Sequence, residues 1–312
     1  MDDIDTSELS ESLAIKLKKI GLLSSRKIIV MDSSEFRKME NFTDEEIHLV
    51  KNAAANIIIP QGFKTVNEAK RIYKDKWRTL TFDCKGIDKL TGGGIPTRGI
   101  NELYGVSGAG KTQFCLQLSI TVQYPLEHGG LGKKAVYICT EDRFPARRLQ
   151  EMVLNFPRGN FEIEGNCTDN ILVDHIPQVE GLKDCILKRL PHVLKTLSIG
   201  LIVIDSITAV FRAEYGSDDL VARSKELKII GSELHNLSRK FNVTILCVNQ
   251  VADSLENNEV VPALGLVWSN LVTSRFQVLT GNDSKIFRVV AAPDMNCGEC
   301  KYKITARGIE DG

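Results

Sequence analysis

The chain has 312 residues, a formal net charge of +0, 43% hydrophobic residues and 26% charged residues. That length holds one large α/β domain plus a small appendage, and neutrality excludes a global electrostatic attraction to nucleic acid or membrane, leaving only local patches. No apolar run is long enough to span a bilayer, and the acidic start Met1-Asp2-Asp3-Ile4-Asp5 is the opposite of a secretory leader.

Residues from about Ser7 to Ile59 read as a compact helical domain, taken as 1–59. Leu13, Leu17, Ile20 and Leu23 lead into Ile28, Phe36 and Met39, and Thr43-Asp44-Glu45-Glu46 is a capping-box start with Thr43 as N-cap. Ile47, Val50, Ala54 and Ile57 continue at helical spacing until Pro60. Pro60-Gln61-Gly62 marks a break. Phe63 to Arg78, with Lys64, Lys70, Arg71, Lys74 and Lys76, reads as a basic tether (60–78), helical in part from Asn67 to Lys76.

From Thr79 to the end (79–312), strand and helix patterns alternate. Val136–Cys139, Ile171–Val173, Leu201–Ile204 and Thr244–Val248 are short apolar runs, the signature of strands buried on both faces of a parallel sheet. Helices are expected over Leu182–Leu197 and Ser224–Lys240, the second with Leu227, Ile230, Leu234 and Leu237 on one side. Arg275–Thr280, Ile286–Val290 and Tyr302–Thr305 alternate apolar and polar residues, as in an antiparallel meander closing the sheet edge. Cys115, Cys139, Cys185 and Cys247 sit inside apolar patterns as small hydrophobes, which places the chain in a reducing compartment, cytosol or nucleus. Cys297-Gly298-Glu299-Cys300 has metal-ligand spacing but no second pair and no paired histidines, and reads as two thiols in a surface turn.

Gly105-Val106-Ser107-Gly108-Ala109-Gly110-Lys111-Thr112 carries the chemistry. It fits the loop that wraps backbone N–H groups around nucleotide phosphates, with Lys111 for the β/γ-phosphates and the Thr112 hydroxyl for Mg²⁺. Ile100–Tyr104 reads as the preceding strand, and a helix from Thr112 to Gln123 follows, so Gln113 lies in its first turn beside the phosphate site. Asp205 ends an apolar strand, where an aspartate can anchor the metal or cap the next helix through Ser206. Glu141 or Asp142 can orient an attacking water, or cap a helix. Asn249-Gln250 can sense a γ-phosphate or satisfy a strand end, and Arg147 or Arg148 can cover a flat base or stay solvated.

Leu90-Thr91-Gly92-Gly93-Gly94-Ile95, the phosphate loop, Gln123-Tyr124-Pro125, Tyr137–Glu141, Ile204-Asp205-Ser206 and Asn249-Gln250-Val251 follow one another in an order that resembles the RecA/RadA-type recombinase family, over nearly the whole chain. His128–Leu131, Ala135–Pro145, Arg148-Leu149-Gln150, Pro262–Gly265 and Ala292-Pro293 narrow the resemblance to a DNA-repair branch of the eukaryotic recombinase paralogues. It implies an α/β fold: a RecA-type P-loop ATPase core with a mostly parallel sheet flanked by helices, antiparallel strands at the C-terminal edge, and a small N-terminal all-α domain. ATP and Mg²⁺ are the implied cofactors. Position by position, it makes Glu141 the catalytic carboxylate, Gln250 the γ-phosphate sensor and Arg148 the adenine-stacking residue. Phe63-Lys64-Thr65-Val66 falls where the family carries a Phe-x-x-Ala tether for a neighbouring subunit, with Val66 replacing the alanine.

Other departures concern DNA. The loop Glu40–Glu45 lacks the family's helix-hairpin-helix glycines and is acidic. The first DNA loop keeps Arg212 and Arg223 but reads Tyr215-Gly216-Ser217-Asp218-Asp219 in its middle, and the second, Ala252–Val261, holds Asp253, Glu256 and Glu259. At Ala291-Ala292-Pro293 an alanine stands where recombinases cap a neighbour's ATP with aspartate. These changes imply an accessory paralogue, nuclear and also cytoplasmic. The resemblance then implies that it pairs with another paralogue, assists the main recombinase filament, meets single-stranded DNA within a complex and hydrolyses ATP weakly. The competing expectation is an autonomous DNA-dependent ATPase or strand-exchange protein.

Overall fold

The computed structural model describes residues 4, 9–58, 65–73, 77–156, 163, 165–216, 219–253, 260–281 and 284–312. The chain divides into two compact units, Met1–Arg71 and Ile72–Gly312.

The first unit is helical, with α1 (Glu11–Lys19), α2 (Ser25–Val30), α3 (Ser33–Met39) and α4 (Asp44–Ile58). Leu13, Leu17, Ile28, Phe36, Ile47 and Val50 form its core. Thr43 caps α4 as the sequence predicts: Thr43 Oγ1 accepts from the Glu46 amide at 3.2 Å, and Glu46 Oε2 accepts from the Thr43 amide at 2.9 Å. The helix in the basic tether, α5, runs Val66–Tyr73, so Val66 opens it and is exposed. Phe63, Lys64, Lys74 and Lys76 lie outside the described residues.

The second unit opens with β1 (Thr79–Leu80), α6 (Lys85–Thr91) and β2 (Ile95–Pro96). Strand–helix alternation follows: β3 (Ile100–Gly105), α7 (Lys111–Thr121), β4 (Lys134–Cys139), α8 (Ala146–Asn155), β5 (Ile171–His175) and α9 (Val179–Asp184). Next come α10 (Leu190–Thr196), β6 (Ile199–Asp205), α11 (Ile207–Glu214), α12 (Leu220–Phe241), β7 (Thr244–Asn249) and a small pair, β8 (Val251–Asp253) with β9 (Val260–Pro262). The chain ends with α13 (Gly265–Ser269), β10 (Ser274–Thr280), β11 (Lys285–Ala291), β12 (Gly298–Thr305) and β13 (Gly308–Asp311).

The main sheet has the order β13-β12-β11-β10-β3-β7-β6-β4-β5, parallel from β10 through β5 and antiparallel from β10 through β13. Helices cover both faces, which explains the unbroken apolar runs. Leu201 and Val203 of β6 pack with Phe114 of α7, while Ile202 and Ile204 pack with Leu227, Ile230 and Leu234 of α12.

Three expectations change. Ile171–Val173 is not buried on both faces; β5 is the sheet edge, and Val173 is half-exposed. The helix expected over Leu182–Leu197 is divided by a π-helical turn at Cys185–Arg189, because Pro191 has no N–H to continue the ladder into α10. The C-terminal meander gains a fourth strand, β13.

Candidate nucleotide-binding site

β3 delivers the chain to Gly105 and α7 takes it up at Lys111, so Val106–Gly110 arches over the helix N-terminus. Gly108 and Gly110 have φ of 74° and 108°, the left-handed region that favours glycine. A Cβ on Gly110 would come within 2.7 Å of Ile304 Cδ1 on β12, the movable end of a side chain, so the backbone angle and not the contact holds this position to glycine. The meander fastens the arch from outside. The Tyr302 hydroxyl donates to the Ala109 carbonyl at 2.7 Å, and Lys285 Nζ donates to the Gly108 carbonyl at 3.0 Å.

Lys111 Nζ donates to the carbonyls of Gly105 and Val106, at 2.7 and 2.9 Å. Burial pulls its pKa down, only partly countered by the charges of Asp205 and Glu141. Opposite it, Asp205 Oδ2 accepts from the Thr112 hydroxyl at 2.9 Å and from the Tyr137 hydroxyl at 2.7 Å. Burial raises the Asp205 carboxyl above its ordinary value, against the lowering effect of those two bonds and of Lys111. Thr140 fixes the strand ends below. Its amide donates to the Asp205 carbonyl at 3.0 Å, and its Oγ1 donates to the Ser206 carbonyl at 2.6 Å.

Gln250 joins two further predicted residues. Its Nε2 donates to Glu141 Oε2 at 3.2 Å, while its Oε1 accepts from the Arg212 guanidinium. Arg212 also donates to the Val251 carbonyl at 2.9 Å. Arg148 bridges α7 and the β12–β13 turn, donating through Nε to Gln113 Oε1 at 2.7 Å and through NH2 to the Thr305 carbonyl at 2.5 Å. Such in-plane bonds leave the guanidinium faces to stack on a flat ring. Arg147 is exposed.

These residues converge on one open cleft of about 760 Å³, lined by Gly105, Lys111, Thr112, Gln113, Glu141, Arg148, Asp205, Arg212 and Gln250 among others. Arg223 is not part of it. It lies on α12, half-buried, and its Nε finds no hydrogen-bond partner among the described residues. Ser217, Asp218, Glu256 and Glu259 lie outside the described residues.

The cleft fits a triphosphate with a hard divalent ion. An arch whose Gly108 and Gly110 take left-handed backbone angles stands over a half-buried ammonium held by carbonyls, and a half-buried carboxylate bonded by hydroxyls faces it. No group of three or more His, Cys, Asp or Glu among the described residues could hold an ion alone. One carboxylate and one hydroxyl, completed by phosphates and water, is the set magnesium uses.

The model of the Rad51 family matches residues 74–312. The chain belongs to the Rad51 family. The DNA repair protein XRCC3 of Bos taurus is 32% identical over 331 aligned positions, covering 98% of this chain and 97% of its own. The XRCC3 homolog of Arabidopsis thaliana is 34% identical over 262 positions, covering 75% and 86%. The DNA repair and recombination protein RadA of Metallosphaera sedula is 35% identical over 281 positions, covering 83% and 85%.

In this Rad51-family core, sequence reasoning missed Tyr137, Thr140, Lys285 and Tyr302. Tyr137 had one readable signal, a lone hydroxyl inside the apolar run Val136–Cys139. Lys285 and Tyr302 had none, because they reach the loop from more than a hundred residues away in sequence.

Proposed function

We propose that this chain is an ATP- and Mg²⁺-binding accessory recombinase paralogue in homologous-recombination repair of DNA double-strand breaks. The observation that carries it is the convergence of Lys111, Thr112, Asp205, Glu141 and Gln250 on one cleft in a Rad51-family chain. In this reading Gly105–Gly110, Lys111 and Gln113 bind the phosphates, Thr112 and Asp205 hold the ion, and a face of Arg148 covers the adenine. Glu141 and Gln250 orient a water. When bound, the ion neutralises charge on the phosphates.

The accessory role rests on the DNA loops. In sequence the two loops carry Asp218, Asp219, Asp253, Glu256 and Glu259, like charges to a DNA strand, and Arg212 is engaged with Gln250 and Val251. DNA is therefore met mainly within a complex with another paralogue and the main recombinase filament, in the nucleus and also the cytoplasm. Residues 1–59 act as the helical domain, 60–78 as the tether with Phe63 and Val66 as its partner contact, and 79–312 as the ATPase core. An autonomous strand-exchange enzyme is the second reading, favoured by the intact Glu141–Gln250 bond.

Calorimetric titration of the full chain with a non-hydrolysable ATP analogue and Mg²⁺ tests the first step. Saturable binding is expected, lost in Lys111→Ala; a folded wild type that binds nothing sinks the proposal. Turnover by the chain alone that rises strongly with single-stranded DNA would instead select the autonomous enzyme.

A further inference from the structure

A second groove, of about 750 Å³, opens between the segment Trp77–Gly99 and the C-terminal half of α12. Its walls include Trp77, Arg98, His235, Asn236, Arg239 and Asn242, and none of the described residues lining it is acidic. Gly99 precedes β3 and Asn242 precedes β7, so the groove lies at the sheet end opposite the phosphate loop. The six residues of β3, at ~3.3 Å each, separate the two sites by about 20 Å. Neither DNA loop reaches this end by topology, since one follows β6 and the other follows β7.

At the groove's edge Trp77 is 52% exposed, and the Arg98 guanidinium carbon sits 4.4 Å from its ring centroid. Arg98 is itself pinned by an ion pair with Asp294. A guanidinium pinned by a carboxylate under an indole gives a rigid aromatic platform whose ordering cost is met before any ligand arrives. Across from it stand Arg239 and His235, whose Nε2 lies 2.7 Å from the Leu271 carbonyl. Helix-dipole complementarity accounts for Arg239 and Lys240 in the last turn of α12. It does not account for a half-exposed tryptophan stacked on an anchored arginine.

We propose that this groove binds single-stranded nucleic acid, with an unstacked base on Trp77 and a backbone phosphate against Arg239. Stacking platforms combined with cations are the chemistry that recognises a single strand without sequence preference. A duplex keeps its bases stacked and cannot offer one to the indole. An acidic peptide would satisfy the cations but leave the platform unused. The groove shares no lining residue with the nucleotide cleft, so the inference does not rest on the function proposed above.

The chain has two tryptophans, and the other, Trp268, is fully buried with its Nε1 bonded to Glu102. Intrinsic fluorescence therefore reports Trp77 directly. Oligothymidylate added to the full-length protein at low salt, without nucleotide, is expected to quench emission saturably, and added salt to restore it. In Trp77→Phe the Trp268 emission should remain and cease to respond. By anisotropy of a labelled oligonucleotide, Trp77→Ala should weaken binding about tenfold, the worth of one base stack. Arg239→Ala should lower the log–log salt slope by about 0.7, one phosphate on a single strand. Emission that stays constant while anisotropy shows bound DNA overturns the proposal. So do the absence of DNA binding, unchanged affinity in folded Trp77→Ala, and quenching by polyglutamate but not by oligothymidylate.

Discussion

Two carboxylates sit in the central sheet, one buried and one half-buried at its mouth, and the fold treats them differently. Glu102 of β3 is wholly enclosed and accepts from Asn249 Nδ2 at 2.7 Å, Trp268 Nε1 at 2.8 Å and Arg275 Nε at 2.5 Å. Its charge is matched from within the chain. Asp205, at the mouth of the same sheet, is bonded by the neutral hydroxyls of Thr112 and Tyr137, and burial raises its pKa. Lys111 faces it but is bonded to the Gly105 and Val106 carbonyls, so its charge offsets the burial of Asp205 only in part, and the carboxylate stays costly until a further cation approaches. The first carboxylate is architecture; the second awaits something from outside. They are also linked, since Asn249, held by Glu102 and by the Ala263 carbonyl, immediately precedes Gln250.

The largest expected effect comes from breaking the satisfied carboxylate. Glu102→Gln leaves Arg275 buried without a counter-charge, which should cost roughly 3–5 kcal/mol of stability. Urea denaturation followed by far-UV circular dichroism measures it, and a loss below about 1 kcal/mol would show that the pair is solvated in solution. Because the network also holds Asn249, nucleotide affinity in this variant should fall even under conditions where it stays folded.

Asp205→Asn should do the reverse. Removing a charge that Lys111 matches only in part is expected to stabilise the nucleotide-free protein by roughly 1 kcal/mol, while the Mg²⁺-dependent part of nucleotide affinity falls more than about tenfold. The sign with pH follows from the raised pKa. The folded state holds this proton more tightly than the unfolded chain, so the charged form is penalised most at neutral pH. The gain should therefore shrink as pH falls toward the ordinary carboxylate range. A gain that is flat with pH would mean the carboxyl is not buried as described.

The contrast also marks what could be read from sequence. The phosphate loop was legible because its eight residues are contiguous, and the glycines, Lys111 and Thr112 have one mutual arrangement that works. The parallel strands were legible as apolar runs, except β5, whose exposure depends on strand order and not on its own residues. Glu102 was invisible as a charge centre. Its partners lie on β7, α13 and β10, and only the topology brings them together. Tyr137 and Asp205 share this property: the register that pairs Cys139 with Asp205 and Tyr137 with Val203 exists only once β4 and β6 are adjacent.

The smallest quantity is a coupling, and it concerns how the protein tolerates Asp205 before a cation arrives. The Tyr137 hydroxyl donates to Oδ2, the oxygen that also accepts from Thr112. Tyr137→Phe keeps the ring packed against Phe144, whose centroid is 5.0 Å away, and deletes one hydrogen bond to a carboxylate. The nucleotide-free protein should lose about 1.5–3 kcal/mol, as for a bond to a charged group. With Mg²⁺ and nucleotide at saturation the loss should be smaller, because the ion supplies part of what the hydroxyl gave. In an Asp205→Asn background the same change removes a bond between neutral groups, worth about 0.5–1.5 kcal/mol, so the double-mutant cycle should show coupling of about 1 kcal/mol. Additivity within about 0.3 kcal/mol would mean that the hydroxyl does not sense the carboxylate's charge, and that Asp205 is no different in kind from Glu102.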